Sequence, residues 1–203
     1  MQKQLWLLLF TLFAFASCEH HESPATQQKV NPLIGDLSYI STYGELPNEQ
    51  TNELDRVRTH LRFVEGLLRQ QDVAHMSTEM QQKRTTLLDH LRDYWQNGVF
   101  PGNYDYAEQR KPCFIDQKGN ICAVGYLVEQ SVDRNAAEHI NSEWQYADIA
   151  DMETPDLEKW IASSGFSRNE VAMIQPTYGP TPPDPSWEGV RAGYRVASGL
   201  AGG

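Results

Sequence analysis

From Thr51 to Gln71, the apolar residues Leu54, Val57, Leu61, Val64 and Leu68 recur at spacings of three and four. That period puts them on one face of a helix and leaves polar side chains on the other. Glu49, Glu53 and Asp55 gather near its start, and Arg62 and Arg69 toward its end, as the helix dipole favours. A second helix is predicted from Ser77, a good N-cap, to Gly98. Its apolar stripe is Met80, Leu87, Leu88, Leu91, Tyr94 and Trp95. The connection is short, so the two helices are expected to form an antiparallel pair.

Past Gly98 the period is lost. Val99 to Pro112 is irregular and contains Phe100-Pro101-Gly102-Asn103-Tyr104-Asp105-Tyr106. Asn103, Tyr104 and Tyr106 are candidate contacts of a binding loop. The favoured alternative is a long loop whose side chains anchor it to the core. Next, Asp116 to Gly119 suits a type I turn followed by a left-handed glycine, a common closure of a β-hairpin. After Cys122, the residues Ala123, Val124, Tyr126, Leu127 and Val128 read as a buried helix. Asp133 is expected to cap the next helix, which carries Ala136, Ala137, Ile140 and Trp144. Thr154-Pro155-Asp156 opens a short helix with Leu157, Trp160 and Ile161 on its apolar face, ending at Gly165. Ser167 with Glu170 forms a capping box for a last helix with Val171, Met173 and Ile174, stopped by Pro176. The fold class is therefore mainly α: an antiparallel helical pair plus several short helices packed around one small β-hairpin.

The N-terminus follows a different rule. Lys3 precedes Leu5 to Phe15, which is apolar throughout except Thr11. This run is shorter than the roughly 20 residues needed to span a bilayer. A basic start, a short apolar core and small residues after it read as an export signal. Phe15-Ala16-Ser17-Cys18 resembles the lipobox of bacterial lipoproteins, with Phe15 standing where an aliphatic residue is usual. The resemblance implies cleavage before Cys18 and lipidation of its thiol. The organisation expected is signal peptide 1–17, lipidated cysteine and tether 18–47, one helical domain 48–178 and a Pro/Gly-rich tail 179–203. Within the tether, Glu19 to Lys29 is polar, and Val30 to Pro47 mixes apolar residues with Pro and Gly and should drape over the domain. His20 and His21 are expected to be solvated. Glu19 after the lipidated cysteine is not the aspartate linked to inner-membrane retention, which points to the outer membrane of a Gram-negative envelope. The tail begins with a polyproline-type linker and then carries Trp187 and Tyr194.

Charge narrows the partners. The net charge is −10, and no dense Lys/Arg cluster interleaves with aromatics, which argues against nucleic acid. There is no phosphate loop, dinucleotide fingerprint, Gly-x-Ser-x-Gly or His-Glu-x-x-His, so no cofactor is assigned.

Cys18, Cys113 and Cys122 are the only cysteines. With Cys18 lipidated, two thiols remain in an oxidising compartment, and a Cys113–Cys122 disulfide is the leading expectation. A buried, unreactive thiol is the next. A three-residue bulged turn would set Cys122 opposite Phe114 and turn the two cysteines to opposite faces, against the bond. Cys122 at a helix N-terminus is also a weak candidate nucleophile, since exposed N–H groups stabilise a thiolate. Papain-like and cell-wall-peptidase cysteine hydrolases place theirs so, with a histidine base in reach. His139 is the only histidine after Cys122, and it falls in a helix. His60 and His90 lie at comparable levels of the helical pair, with no third ligand for a metal evident. Asp148, Asp151, Glu153 and Asp156 cluster without the spacing of a calcium loop. From about Arg110 to Pro176 the chain is similar to bacterial secreted proteins that share Phe114-Ile115-Asp116, Gly119, Cys122-Ala123-Val124-Gly125-Tyr126-Leu127 and Ile174-Gln175-Pro176. That resemblance carries no activity. The function expected is a membrane-anchored envelope lipoprotein with a non-catalytic domain that binds an envelope protein or cell-wall partner. The alternative is a cysteine hydrolase of envelope peptides acting through Cys122.

Overall fold

The computed structural model describes residues 28–181. The leader, Cys18, His20, His21, Trp187 and Tyr194 lie outside them. Among the described residues there are seven α-helices: α1 Leu37–Tyr43, α2 Glu53–Arg69, α3 Thr78–Asn97, α4 Ala123–Ser131, α5 Arg134–Trp144, α6 Pro155–Ser164 and α7 Arg168–Ile174, with a 3₁₀ turn at Ile149–Asp151. None is long and apolar enough to cross a membrane.

The helical pair forms as the apolar period requires. Asn52 accepts from the Asp55 N–H at 3.1 Å, and Ser77 from the Met80 N–H at 3.3 Å. Each cap satisfies one of the donors a helix start leaves open. Val57, Leu61, Val64 and Leu68 of α2 meet Leu87, Leu88, Leu91 and Tyr94 of α3 in the core. Leu54, placed on the same stripe by its spacing, is half exposed at the first turn of α2. The short helices pack around this pair: α4 on α3, α5 and α7; α6 on α3 and α5; α7 on α2 and the 3₁₀ turn.

The expected β-hairpin is not present as a sheet. Ile115 and Ile121 form only an isolated bridge. The turn itself is as expected: Gly119 has φ +83°, and the Asp116 N–H donates to the Asn120 carbonyl at 2.9 Å. Beyond one register step, however, the backbone groups are taken by helices and side chains. The Phe114 N–H donates to the Gln145 carbonyl, and the Ile115 N–H to Asn141 Oδ1. The Ile115 carbonyl accepts from Gln145 Nε2 and the Ile121 carbonyl from the Tyr94 hydroxyl. Buried backbone must be paired, and α3 and α5 supply the partners a second strand would have given.

Gly125 fixes how this turn sits on α4. A β-carbon there would stand 2.6 Å from Ile121 Cγ1 and 3.0 Å from Phe114 Cε1. Gly125→Ala gains roughly 1 kcal/mol of helix propensity but overpacks the site. A net loss of about 1–2 kcal/mol in urea unfolding is expected.

The stretch from Val30 onward, expected to drape over the domain, packs into it. Val30 and Asn31 are fully buried. The Asn31 amide donates to the Ala172 and Gln175 carbonyls at 2.8 Å, closing the end of α7. The Thr177 N–H donates to the Val30 carbonyl at 2.7 Å, so the first and last described segments run side by side. Arg56 of α2, 3% exposed, holds Asp36 ahead of α1 through two hydrogen bonds. Arg110, also buried, grips Glu53 through both carboxylate oxygens at 2.7 Å and the Thr177 carbonyl.

Candidate functional site

Cys122 is the N-cap of α4, where its Sγ accepts the Gly125 N–H at 3.3 Å. Its position at a helix start was legible; its environment was not. The residue is fully buried. Burial raises the thiol pKa to about 12, outweighing the lowering by the Gly125 and Val124 N–H groups. Cys113 is buried as well, and its thiol is also pushed up, first by burial and then by its nearness to Cys122 and Asp116. Both are free thiols in the structure, so the expected disulfide is not formed there. The Cys122 N–H donates to the Phe114 carbonyl at 2.8 Å. Cys122 thus pairs with Phe114, the register that turns Cys113 to the other face.

The structure does not bring His139 to this sulfur. His139 is an exposed residue of α5, and its Nδ1 bonds Asp156 Oδ2 of α6 at 2.5 Å. A thiol that is 0% exposed and a histidine engaged at the surface do not make a nucleophile–base pair. The other histidines also separate. His60 is fully buried in α2 and bonds the Met173 carbonyl at 2.9 Å, while His90 lies half-buried in a surface cleft. Asp156 is held by His139, and Asp148 leads into the 3₁₀ turn. Among the described residues, no group of three His, Cys, Asp or Glu is placed to hold a metal ion.

The aromatic loop is anchored to the domain. Asn103 is 1% exposed; its amide donates to the Gln109 and Tyr178 carbonyls at 2.8 and 3.2 Å, and its Oδ1 accepts the Tyr106 N–H. Tyr106 packs edge-on against Tyr146 with ring centroids 5.0 Å apart, and the Lys111 ammonium lies 5.5 Å from its ring centre. Tyr104 carries the Lys118 ammonium over its ring at 5.3 Å. Asp116 Oδ2 accepts the Gly102 N–H at 2.8 Å and ties the loop to the turn. Asn103 is therefore engaged in holding the loop, and Tyr104 and Tyr106 remain partly exposed.

A concavity among the described residues lies elsewhere, between α3, the end of α4 and α6. It encloses about 440 Å³. Lys83, Thr86 and His90 line one wall from α3, Ser131 and Val132 close the end of α4, and Trp160 of α6 forms the floor. The Trp160 indole N–H donates to Ser131 Oγ at 2.9 Å, and Ser131 donates to the Leu127 carbonyl at 2.6 Å, so the donors of the floor are satisfied. Lys83 pairs with Glu79 at 3.0 Å, and His90 has no hydrogen-bond partner among the described residues. Trp160 is only 4% exposed, so what the cleft offers a partner is its polar rim of Lys83, Thr86, His90 and Ser131. Lys83, Thr86 and His90 share a face through helical spacing, a signal present in the sequence, but nothing in the sequence says that α6 lies opposite.

No protein-family model, curated protein or solved structure matches the chain.

Proposed function

We propose that this chain is a membrane-anchored lipoprotein of the bacterial envelope whose helical domain binds a partner without covalent chemistry. The observation that carries the non-catalytic part is the complete burial of Cys122, with its thiol raised to about 12 and the only downstream histidine bound to Asp156. A cysteine hydrolase needs a thiolate that substrate can reach, and this sulfur meets neither condition. The anchor reading is supported by the leader: a short apolar run, small residues and Cys18 directly after them. The Lys83–His90 face of α3 with Ser131 is the site proposed for a polar group of an envelope protein or cell-wall partner. The outer membrane is the expected location.

The anchor is tested by phase partition. Mature protein is expected in the detergent phase, and Cys18→Ser is expected to move it to the aqueous phase or leave the precursor uncut. Wild-type protein found in the aqueous phase would remove this reading.

A further inference from the structure

Five of the eight large apolar side chains that the described residues expose fall between Leu33 and Leu46: Leu33, Leu37, Ile40, Tyr43 and Leu46. Single exposed apolar residues are ordinary, but a run of them on one element is not. α1 is LSYISTY and carries no charged residue. Its inner side is already used: α1 packs on α2, and Ser38 is fully buried. Leu37 and Ile40, a spacing of three apart, form a separate outer side, continued by Tyr43, which also borders a cleft with Thr59 and Phe63 of α2. The core gives no reason for that side to be apolar.

The place of α1 along the chain supplies one. Gln28 begins the described residues, and Cys18 stands ten positions before it. Fully extended, ten residues reach about 35 Å. Tethering at such a range gives a face near the attachment point an effective concentration on the order of millimolar, so a weak surface contact is well populated. We propose that α1, with Leu33 and Leu46, rests on the lipid surface in which Cys18 is anchored, its outer side chains entering the headgroup–acyl boundary. The proposal rests on the lipid-anchor reading and adds the orientation of the domain on the membrane. The attraction is apolar. The chain has a net charge of −10, and Glu45 follows α1 closely, so anionic lipid is not required and salt has little effect.

Acylated full-length protein in phosphatidylcholine vesicles tests this. An environment-sensitive fluorophore is attached in turn to Ile40→Cys and to Val132→Cys, which lies beside the α3–α6 cleft. Both positions are exposed, so neither change touches the core. Acyl-chain-brominated lipid is expected to quench the probe at position 40 at least twofold and to leave the probe at 132 unchanged. Vesicle flotation and intact mass on the same sample report the anchor separately. Protein that floats, with equal quenching at the two positions or none, overturns the proposal alone. Protein that does not float overturns the anchor and the proposal with it. A probe at 40 that is shielded without vesicles, and freed when residues 182–203 are deleted, assigns the face to the C-terminal tail and overturns the membrane contact.

Discussion

Arg84→Ala is expected to remove about 3–5 kcal/mol of stability, a large part of the roughly 5–15 kcal/mol that a domain of this kind possesses. Arg84 is 3% exposed, although it lies in a helix dense with polar residues. Its guanidinium donates to the Gly165 carbonyl at 2.8 Å, the Leu68 carbonyl at 3.0 Å and Glu170 Oε1 at 2.7 Å, and it lies 4.8 Å from the centre of the Phe166 ring. One side chain thus joins the ends of α2 and α6 to the start of α7. Glu170 shows the coupling from the other partner. Partial burial pushes its carboxyl up, but the Arg84 hydrogen bond and charge, with Ser167, bring it below the ordinary value. Truncation leaves a desolvated carboxylate and two carbonyls with no donor. Arg84→Lys keeps the charge but loses the planar fork, and an intermediate loss is expected. Urea unfolding of the three proteins checks this; an Arg84→Ala loss under about 1 kcal/mol would mean that water replaces these bonds at little cost.

The second large effect is a loss of stability in mild acid, centred on His60. Burial depresses its pKa to about 4, more than the hydrogen bond to the Met173 carbonyl raises it, and Arg110 lowers it further. Its Nε2 bonds that carbonyl, and its Nδ1 is buried without a partner, so the folded state holds the neutral ring. The unfolded chain takes up the proton near pH 6.5. Between about 6.5 and 4 the unfolded state therefore binds more protons, and stability falls as pH falls through that window. The full contribution is present above 6.5, and His60 removes nothing further below about 4. The depression corresponds to about 3 kcal/mol. Glu65 and Glu170, whose carboxyls lie below their ordinary values, add their own losses only at lower pH. His60→Gln keeps a donor for the Met173 carbonyl and should flatten the profile between pH 7 and 5. An unchanged slope in that variant would move the effect to another group.

What the sequence makes legible here is local. Ser77, Asp133, the Ser167–Glu170 box and the left-handed Gly98 all act within a few residues of themselves, and each sits where its pattern places it. The stripe of α2 is legible for the same reason. The buried arginines are not. Arg56, Arg84 and Arg110 look like surface residues, because what buries them is distant in the chain: Asp36, Glu170 and Glu53. The hairpin fails for a related reason. The turn at Asp116–Gly119 is encoded locally, but whether it extends into strands depends on Asn141 and Gln145. Cys122 shows the same division. Its place at a helix start is local and lowers a thiol pKa, whereas its burial is tertiary and raises the pKa by more. α1 is not legible in the same way: it is seven residues long, and its apolar spacing of three at Leu37, Ile40 and Tyr43 is too short a run among Pro and Gly to mark a helix.

Alkylation of the folded protein is the most direct test of the claim that Cys122 is a core group and not a nucleophile. Purified mature protein is treated with iodoacetamide without reductant at mildly acidic pH, and modification at Cys113 and Cys122 is followed by peptide mass. A sulfur that is fully buried, with its thiol raised to about 12, should stay unmodified while the domain is folded and react once the chain is unfolded at about pH 8, where an ordinary thiol is partly ionised. Rapid labelling of Cys122 in the folded protein would contradict the account and favour a catalytic thiolate. Silence even after unfolding, relieved only by reductant, would contradict the free thiols and restore the disulfide.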